Sequence, residues 1–305
     1  MKVPKHTPAI LAKRRIGLAF VVLTIGCLLS GGIATGATQS PRAKVHGSVN
    51  VLYASSLQNI LEHTVGPRFH RATGYSFVGY SGASGVLVNE EKAGVIRGDV
   101  FISAALAVNN ALEGSANGNI ASWYILFANS PLVIGYNSKS AFANALRKEP
   151  WYQVITRPGF RIGRTDPTVD PKGKLTVAAL SAAEKIYASS AVGSVDARTS
   201  NIYPEQTLVG LLQSGQLDAG FFYRSEAKAA GIPFVTLGRI RFDASYTVTL
   251  LANGPNRAAG ASFVHFLLGS SGRSLLLRSG LSVVRPRLIG PRSLVPTSIR
   301  TELAS

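Results

Sequence analysis

The chain has 305 residues, of which 46% are hydrophobic and 15% are charged. This composition is typical of a globular protein and excludes a disordered chain, and the length is sufficient for two domains. Lysine and arginine outnumber aspartate and glutamate by 32 to 15, which gives a net charge of +17. The basic residues are scattered, without a nucleic-acid-binding motif or a Lys/Arg block in the folded part, so we predict no nucleic acid partner.

The N-terminal segment, residues 1–37, has the three regions of an export signal. Five basic residues precede an uncharged apolar run at residues 16–33, and small polar residues follow it. The run is also near the lower length limit for a membrane-spanning helix, so a retained N-terminal membrane anchor stays open beside a cleaved signal. In both cases the basic residues before the run predict that the rest of the chain lies outside the cytoplasm, periplasmic or membrane-associated.

The only cysteine, Cys27, lies inside this apolar run. We interpret it as an inert apolar residue, and acylation of Cys27, as in a lipoprotein, stays open. The exported part then contains no cysteine, which excludes disulfides and thiolate metal sites there. The exported part lacks the five basic residues before position 38 and has a net charge of +12. This charge favours a location near anionic lipid or cell wall, and it favours anionic ligands more weakly.

After residue 47, β-rich runs alternate with stretches of helical spacing. In this first half the patterns predict strands over 49–54, 75–81 and 99–104, and helices over 56–74, 85–94 and 106–114. Pro67 is expected to end or bend the first of these helices. The alternation of strands and helices predicts an α/β fold with a mostly parallel, doubly wound sheet.

A long apolar run follows at residues 123–137, broken at Asn129, Ser130 and Pro131. A long strand with a break can cross between lobes, so we place the first domain crossing there. Pro204 suits the first position of a helix. Beyond the crossing the patterns predict helices over 141–155, 174–188 and 204–215, strands over 160–166, 217–225, 234–238 and 246–254, and one or two helices over 260–280.

Ser81 supports an enzyme interpretation, because it lies between a predicted strand and a predicted helix. Asp218 and His265 follow it in the Ser–Asp–His order of the α/β-hydrolases. Three features oppose a triad: the turn GYSGA ends in alanine rather than glycine, His265 lies within a predicted helix, and Asp218 begins a predicted strand. A secreted serine hydrolase using Ser81 is therefore kept as an alternative.

The histidines make a weaker case for a metal site. His63 and His70 are seven residues apart and would share a helix face, but no carboxylate pair accompanies them. Zinc sites in proteins combine several such ligands at short spacing. We therefore interpret both histidines as surface residues and predict neither a metal ion nor a cofactor.

Serines follow two successive predicted strands at the points where helices begin. Ser55 and Ser56 precede one helix, and Ser81 and Ser84 precede the next. The first N–H groups of a helix lack partners and, together with the helix dipole, attract anions. Each serine pair alone is explained by N-capping. Their coincidence on successive strands of a parallel sheet, whose ends meet at one edge, favours a ligand cleft.

Several segments occur in a fixed order along the chain, namely VLYASSL, SGASG, DVFISA, SWYILFANSPLVIGYN, RIGRTDPTVDPKG, LLQSGQLDAGFFYRSEA and FLLGSSGRSLL. Together they resemble the molybdate/tungstate-binding proteins of ABC importers, especially the tungstate-type branch, over residues 48–285. The resemblance implies a periplasmic-binding-protein fold of the second type, with two α/β lobes of doubly wound sheet joined by a hinge. Lobe one would comprise residues 47–130 and 240–305, and lobe two residues 131–239.

The resemblance also implies a set of ligand-binding residues. Ser56 and Ser84 match the two serines that donate to the oxyanion. Asp170 matches the aspartate of the family's D-P-x-G segment, Glu205 the acidic residue before L-x-x-L, and Tyr223 the tyrosine of its Y-x-S segment. In the tungstate-type branch the aspartate and the glutamate place oxygens on the metal centre. Carboxylates that face a dianion repel it unless they bind its central atom. Molybdenum and tungsten accept such additional oxygen ligands, whereas sulfur and phosphorus do not.

Ordinary roles exist for three of these residues: Asp170 as a turn residue before proline, Glu205 as a first-turn acid, and Tyr223 as a core aromatic. The sequence also departs from the family at two places. Ala54-Ser55-Ser56 stands where the family has A-G-S, and Ser103-Ala104-Ala105 lacks the family's acid after the third strand. These changes leave the implied fold intact and concern the identity and affinity of the ligand.

We therefore predict an exported, non-catalytic, monomeric receptor for molybdate or tungstate, whose partner is the membrane permease of an ABC importer. The lobes would close over the ligand and present a surface to the permease. A receptor for another anion, such as sulfate or phosphate, is the alternative among binding proteins. The sequence does not distinguish molybdate from tungstate.

Overall fold

The computed structural model describes residues 47–303. The predicted signal or anchor at residues 1–37, with Cys27, lies outside the described residues. Within residues 47–303, no helix combines the length and the apolar character needed to cross a membrane.

The strands form one mixed sheet that joins two groups of strands. They are β1 (Ser48–Ala54), β2 (Ser76–Gly82), β3 (Val100–Ser103), β4 (Tyr124–Tyr136), β5 (Ile162–Gly163), β6 (Ala219–Tyr223), β7 (Phe234–Thr236), β8 (Asp243–Leu250) and β9 (Ser282–Ile289). The main order is β2-β1-β3-β8-β4-β6-β5, and both β7 and β9 pair with β4.

Helices cover the sheet between these strands. They are α1 (Gln58–Ile60), α2 (Gly66–Thr73), α3 (Ser84–Lys92), α4 (Leu106–Asn109), α5 (Ala143–Lys148), α6 (Trp151–Val154), α7 (Pro171–Tyr187), α8 (Ser190–Gly193), α9 (Glu205–Gln213), α10 (Arg224–Ala229), α11 (Arg257–Leu268), α12 (Ser270–Arg278) and α13 (Thr297–Arg300). The predicted helix over 141–155 is divided into α5 and α6 at Pro150, because proline disfavours helical backbone in the residue before it.

The helical path after β1 is irregular and continues past Pro67. A 3-10 turn (Ser55–Leu57) leads into α1, a π-turn (Leu61–Val65) follows, and α2 extends to Thr73. Pro67 lies in the first turn of α2, where a missing N–H removes few helix hydrogen bonds. Of the two expected outcomes, an end or a bend, an end of the helix at Pro67 is wrong, and the π-helical segment Leu61–Val65 lies directly before α2.

Parallel pairing is confined to two regions of the sheet. β1 pairs in parallel with β2 and β3, and β5 pairs in parallel with β6. The other pairings involve β4 or β8 and are antiparallel. The prediction of a mostly parallel sheet is wrong for these central strands, because β4 and its partners run in opposite directions, an arrangement that needs no crossover helix.

β4 connects the two groups of strands without a break. Asn129, Ser130 and Pro131, where the break was expected, pair with β8 in regular register. Residues 124–131 pair with β8 and β9, and residues 132–136 pair with β6 and β7. The irregularity of β4 is instead a shift of register between Leu126 and Ala128.

The core covers both faces of β1 and thereby fixes its C-terminal end. Val49, Val51 and Tyr53 belong to the largest buried apolar cluster, whereas Leu52 packs with Phe101 in a second cluster on the other face. A strand that is buried on both faces is typical of parallel sheets. The turn that follows β1 is therefore held in one position relative to the ends of β2 and β3.

Candidate functional site

The two serine junctions lie side by side at one edge of the sheet. β1 and β2 end opposite each other, with Ala54 paired to Gly82. Ser56 follows β1 in the 3-10 turn, and Ser84 is the first residue of α3 after β2. Both serines are buried. The expectation that these junctions share one sheet edge is confirmed.

Neither serine caps its own helix. The N-cap positions are Ala54 and Ala83, and neither position makes a side-chain cap hydrogen bond. Instead, the Tyr246 hydroxyl donates to Ser56 Oγ at 2.9 Å, and the backbone N–H of Ala104 donates to Ser84 Oγ at 3.2 Å. Because each Oγ accepts a hydrogen bond here, its own O–H is able to donate to an anion.

A buried lysine connects the acidic residues of the site. Lys172 Nζ lies 3.0 Å from Glu205 Oε2 and 3.0 Å from each carboxylate oxygen of Glu226. Lys172 has no exposed surface, and both glutamates are buried. Glu205 is the first residue of α9, and Glu226 lies in the first turn of α10, so three helices contribute to one charge cluster.

Asp170 lies two residues before this lysine and caps α7. Its Oδ1 accepts a hydrogen bond of 2.8 Å from the backbone N–H of Lys172. The close packing of the turn explains the glycine of D-P-x-G, because a Cβ at Gly173 would lie 2.6 Å from Asp166 C and 2.6 Å from Pro167 N. Asp170 therefore has a capping role with one oxygen, and its side chain is 7% exposed as part of the buried site.

Two tyrosines connect the charge cluster to the serines. Tyr223 donates its backbone N–H to Glu226 Oε2 at 3.1 Å, and its ring centroid is 6.1 Å from that of Tyr246. Tyr246 in turn donates to Ser56. The Tyr223 hydroxyl is buried and has no hydrogen-bond partner among residues 47–303. Most buried polar groups in proteins have such a partner, so this hydroxyl is available to a ligand.

Burial and like charge shift the pKa values of the cluster. Burial raises the pKa of Asp170, and Lys172 only partly offsets this effect. Burial, and then the neighbouring Glu226, raises the pKa of Glu205 well above its ordinary value. Burial alone would lower the pKa of Lys172, but Glu205, Glu226 and Asp170 outweigh burial and raise it. The ammonium is therefore retained, while the carboxyl groups of Asp170 and Glu205 bind protons more readily than in water.

Two cavities lie next to the predicted residues. One of about 240 Å³ is lined by side chains that include Ser56, Glu205 and Glu226. The other, of about 560 Å³, is lined by neighbours of Ser84 and Asp170. Either volume exceeds the roughly 30 Å³ of one water molecule severalfold.

Three hydrogen bonds join α1, the end of β2 and α3 to the segments that carry the acids. The backbone N–H of Gly85 donates to the carbonyl of Val169 at 2.9 Å. Gln206 Nε2 donates to Ser81 Oγ at 3.0 Å and to Gln58 Oε1 at 3.1 Å. The structure thus brings Ser56, Ser84, Asp170, Glu205 and Tyr223 into one neighbourhood.

The alternative triad is not assembled. Ser81 bonds with Gln58 and Gln206, Asp218 is bound by Arg161 and Ser140, and His265 pairs with Glu302. A serine nucleophile requires hydrogen-bond contact with its base, and the base requires contact with its orienting acid. Within residues 47–303, Ser81, Asp218 and His265 therefore bond with other residues and not with one another.

The histidines likewise form no metal site in the described part of the chain. His70 Nδ1 lies 3.0 Å from the carbonyl of Tyr75, and His63 is exposed beside the smaller cavity. Across residues 47–303, no group of three or more His, Cys, Asp or Glu side chains could hold a metal ion.

Sequence reasoning missed three residues of this site: Lys172, Glu226 and Tyr246. Lys172 is the variable position of D-P-x-G, and a lysine at such a position is ordinarily exposed. Glu226 follows the Y-x-S segment directly, which is the only signal that could have pointed to it. Tyr246 lies in a predicted return strand, where an aromatic residue indicates only a core position.

The sequence matches known proteins over most of its length. The family model described as bacterial extracellular solute-binding protein matches residues 49–282. The molybdate/tungstate-binding protein WtpA of Pyrococcus abyssi is 25% identical, over 88% of this chain and 92% of its own. WtpA of Thermococcus kodakarensis is 23% identical, over 90% and 93%. An uncharacterized solute-binding protein of Petrotoga mobilis is 28% identical, over 54% of this chain and 62% of its own length.

Solved structures show the same fold. The periplasmic molybdate-binding protein of Azotobacter vinelandii has a TM-score of 0.59 at 19% identity, over 78% of this chain and 100% of its own. The sulfate-binding protein SubI of Mycobacterium tuberculosis H37Rv has a TM-score of 0.60 at 16% identity, over 85% and 96%. The predicted α/β periplasmic-binding-protein fold is therefore confirmed.

Proposed function

Because this chain belongs to the family of bacterial extracellular solute-binding proteins, we propose that it is the oxyanion receptor of an ABC importer and binds molybdate or tungstate. One observation carries the proposal: carboxyl groups, an ammonium and hydroxyls from separate strands and helices meet in one buried site. Two relatives named as molybdate/tungstate-binding proteins, which match most of the chain, support this choice of ligand.

The acids favour an oxyanion whose central atom accepts further oxygen ligands. In this proposal Asp170 and Glu205 place carboxylate oxygens on the molybdenum or tungsten centre. Sulfur and phosphorus cannot expand in this way, so sulfate and phosphate would meet only repulsion from the same carboxylates. Ser56, Ser84 and the unpartnered hydroxyl of Tyr223 would donate to the oxo groups.

The division of β4 between two groups of strands supports a two-lobed arrangement in this proposal. Lobe one would comprise residues 47–130 and 240–305, and lobe two residues 131–239, with the hinge where β4 and the segment that leads into β8 pass from one lobe to the other. The serines then come from lobe one, and Asp170, Glu205 and Tyr223 from lobe two. A ligand that contacts both lobes favours the closed form, and this population shift is the proposed mechanism.

The remaining features of the proposal concern the setting of the protein. We infer a monomer that is exported through residues 1–37, either cleaved or retained as an anchor. It has no catalytic activity, and its closed form docks on the membrane permease of the importer. The basic charge of the exported part is compatible with a location close to anionic lipid.

Calorimetric titration of residues 45–305 with molybdate, tungstate, sulfate and phosphate tests the proposal. We expect one-to-one binding of the first two anions and no heat from the other two. Asp170→Ala and Glu205→Ala should each weaken tungstate binding, whereas Glu149→Ala, at an exposed ion pair with Arg157, should not. Tight binding of sulfate or phosphate, or unchanged tungstate binding in both site variants, would contradict the assigned roles.

A further inference from the structure

Lys172 has no exposed surface, although lysine is among the residues least often buried in proteins. Its ammonium lies 3.0 Å from Glu205 and 3.0 Å from both carboxylate oxygens of Glu226. It also lies 5.4 Å from the ring centroid of Phe222 and 5.8 Å from that of Tyr223. An ammonium has three donors, and the two carboxylates occupy them. Lys172 therefore acts on a ligand through its charge and through the carboxylates rather than by direct contact.

Charge balance makes this ammonium important for an anion site. Three carboxyl groups surround one lysine: Asp170 on the capping position of α7, Glu205 on α9 and Glu226 on α10. The hydroxyls of Tyr223 and Tyr246 lie beside the cluster, Thr165 lies beside Asp170, and His63 lines the cavity that Glu205 and Glu226 share. With every acid ionised, the cluster is already negative before a dianion enters. Because charges interact strongly in a buried site, each additional negative charge there weakens the binding of an anion.

We propose that Lys172 is the internal counter-ion that allows a dianion to bind between Asp170 and Glu205, and that Glu226 holds this counter-ion in place. The inference rests on the oxyanion site proposed above and adds two residues that determine its affinity. Without the ammonium, the net charge of the cluster becomes more negative by one unit, and the binding of a dianion weakens.

The test compares Lys172→Met with the double variant Lys172→Met/Glu226→Gln. Methionine keeps most of the apolar stem of lysine and removes its charge together with its three N–H donors. The double variant also removes the charge of Glu226, so the net charge of the cluster returns to the wild-type value. Lys185→Met is the matched control, because Lys185 is exposed in the last turn of the same helix. Tungstate affinity of each protein is measured by calorimetry, and its fold by circular dichroism.

The loss of the ammonium should weaken tungstate binding through the net charge of the cluster. For Lys172→Met we expect a loss of affinity on the order of a hundredfold or more. The double variant should bind within about tenfold of the wild type, because its net charge is the same. Lys185→Met should follow the wild type.

The outcomes separate this inference from the proposed function. Wild-type affinity for tungstate in Lys172→Met would overturn the inference alone. A double variant that loses as much tungstate affinity as Lys172→Met would also overturn the inference. If the loss is an effect of charge, affinity must recover when the net charge is restored. If Lys172→Met does not fold, the double variant is compared with the wild type, and a loss of tungstate affinity well above about tenfold overturns the inference. Absence of tungstate and molybdate binding in the wild type would overturn the proposed function and the counter-ion with it.

Discussion

Replacing Tyr223 with phenylalanine should have opposite effects on the stability of the ligand-free protein and on ligand binding. The hydroxyl is buried and has no hydrogen-bond partner among residues 47–303. An unsatisfied buried hydroxyl costs about 1–3 kcal/mol, so its removal should stabilise the ligand-free protein by roughly 1–2 kcal/mol. For a protein of this size, that gain corresponds to a rise in Tm of about 2–8 °C.

Binding should weaken in the same variant. A hydrogen bond to a charged acceptor contributes about 1.5–3 kcal/mol, so Tyr223→Phe should raise the Kd for tungstate about tenfold to a hundredfold. Thermal unfolding without ligand and calorimetric titration with tungstate measure the two effects separately.

Tyr246→Phe is the matched control for Tyr223→Phe. The Tyr246 hydroxyl donates to Ser56 Oγ at 2.9 Å, so its removal breaks a hydrogen bond that exists without ligand. This variant should lose about 0.5–1.5 kcal/mol of stability. If Tyr223→Phe is destabilised as much as Tyr246→Phe, or if Tyr223→Phe binds tungstate as tightly as the wild type, the Tyr223 hydroxyl is not a free donor to the ligand.

Three further predictions address closure, pH and the alternative triad. In Gly85→Ala the new Cβ would lie 2.6 Å from the carbonyl oxygen of Val169, so tungstate affinity measured by calorimetry should fall about tenfold. Gly210→Ala is the control and should bind tungstate normally, because its new Cβ would meet no neighbouring atom within 4 Å. Because the pKa of Glu205 is raised, Glu205 stabilises the protein below the ordinary pKa of a glutamate, and this stabilisation is lost as pH rises through the raised pKa. In urea unfolding, the wild type should therefore lose stability relative to Glu205→Gln as pH rises. A difference in stability that stays constant with pH would refute this prediction. Burial raises the pKa of Asp218, but hydrogen bonds from its arginine partner outweigh burial and lower it, so Asp218 stabilises the protein above the ordinary pKa of an aspartate and less as pH falls. Asp218→Asn should therefore lower the free energy of unfolding in urea by about 1–3 kcal/mol at neutral pH and leave tungstate affinity unchanged. A loss of tungstate binding would contradict a purely structural role for Asp218.

Much of the first half of the fold could be predicted from local pattern. β1, β2, β3 and α3 lie close to their predicted positions, because alternation and helical spacing are properties of neighbouring residues. The order of motifs indicated the family, and the match to its motifs selected the five predicted ligand-binding residues. The pairing of β4 with β8 and β9 could not be predicted in this way, since strand pairing between distant segments leaves no periodic signal in either one.

The sequence by itself determined β1, β2, β3 and α3, the motifs that indicate the family, and the serines where strands end, because each of these features depends on residues that are close in the chain. The tertiary structure alone decided the charge of the site. Lys172 is a long cationic side chain, for which the local pattern predicts exposure, and it is buried because Glu205 and Glu226 meet it from two other helices. The free hydroxyl of Tyr223 was decided in the same way, since only packing determines which buried donor lacks an acceptor.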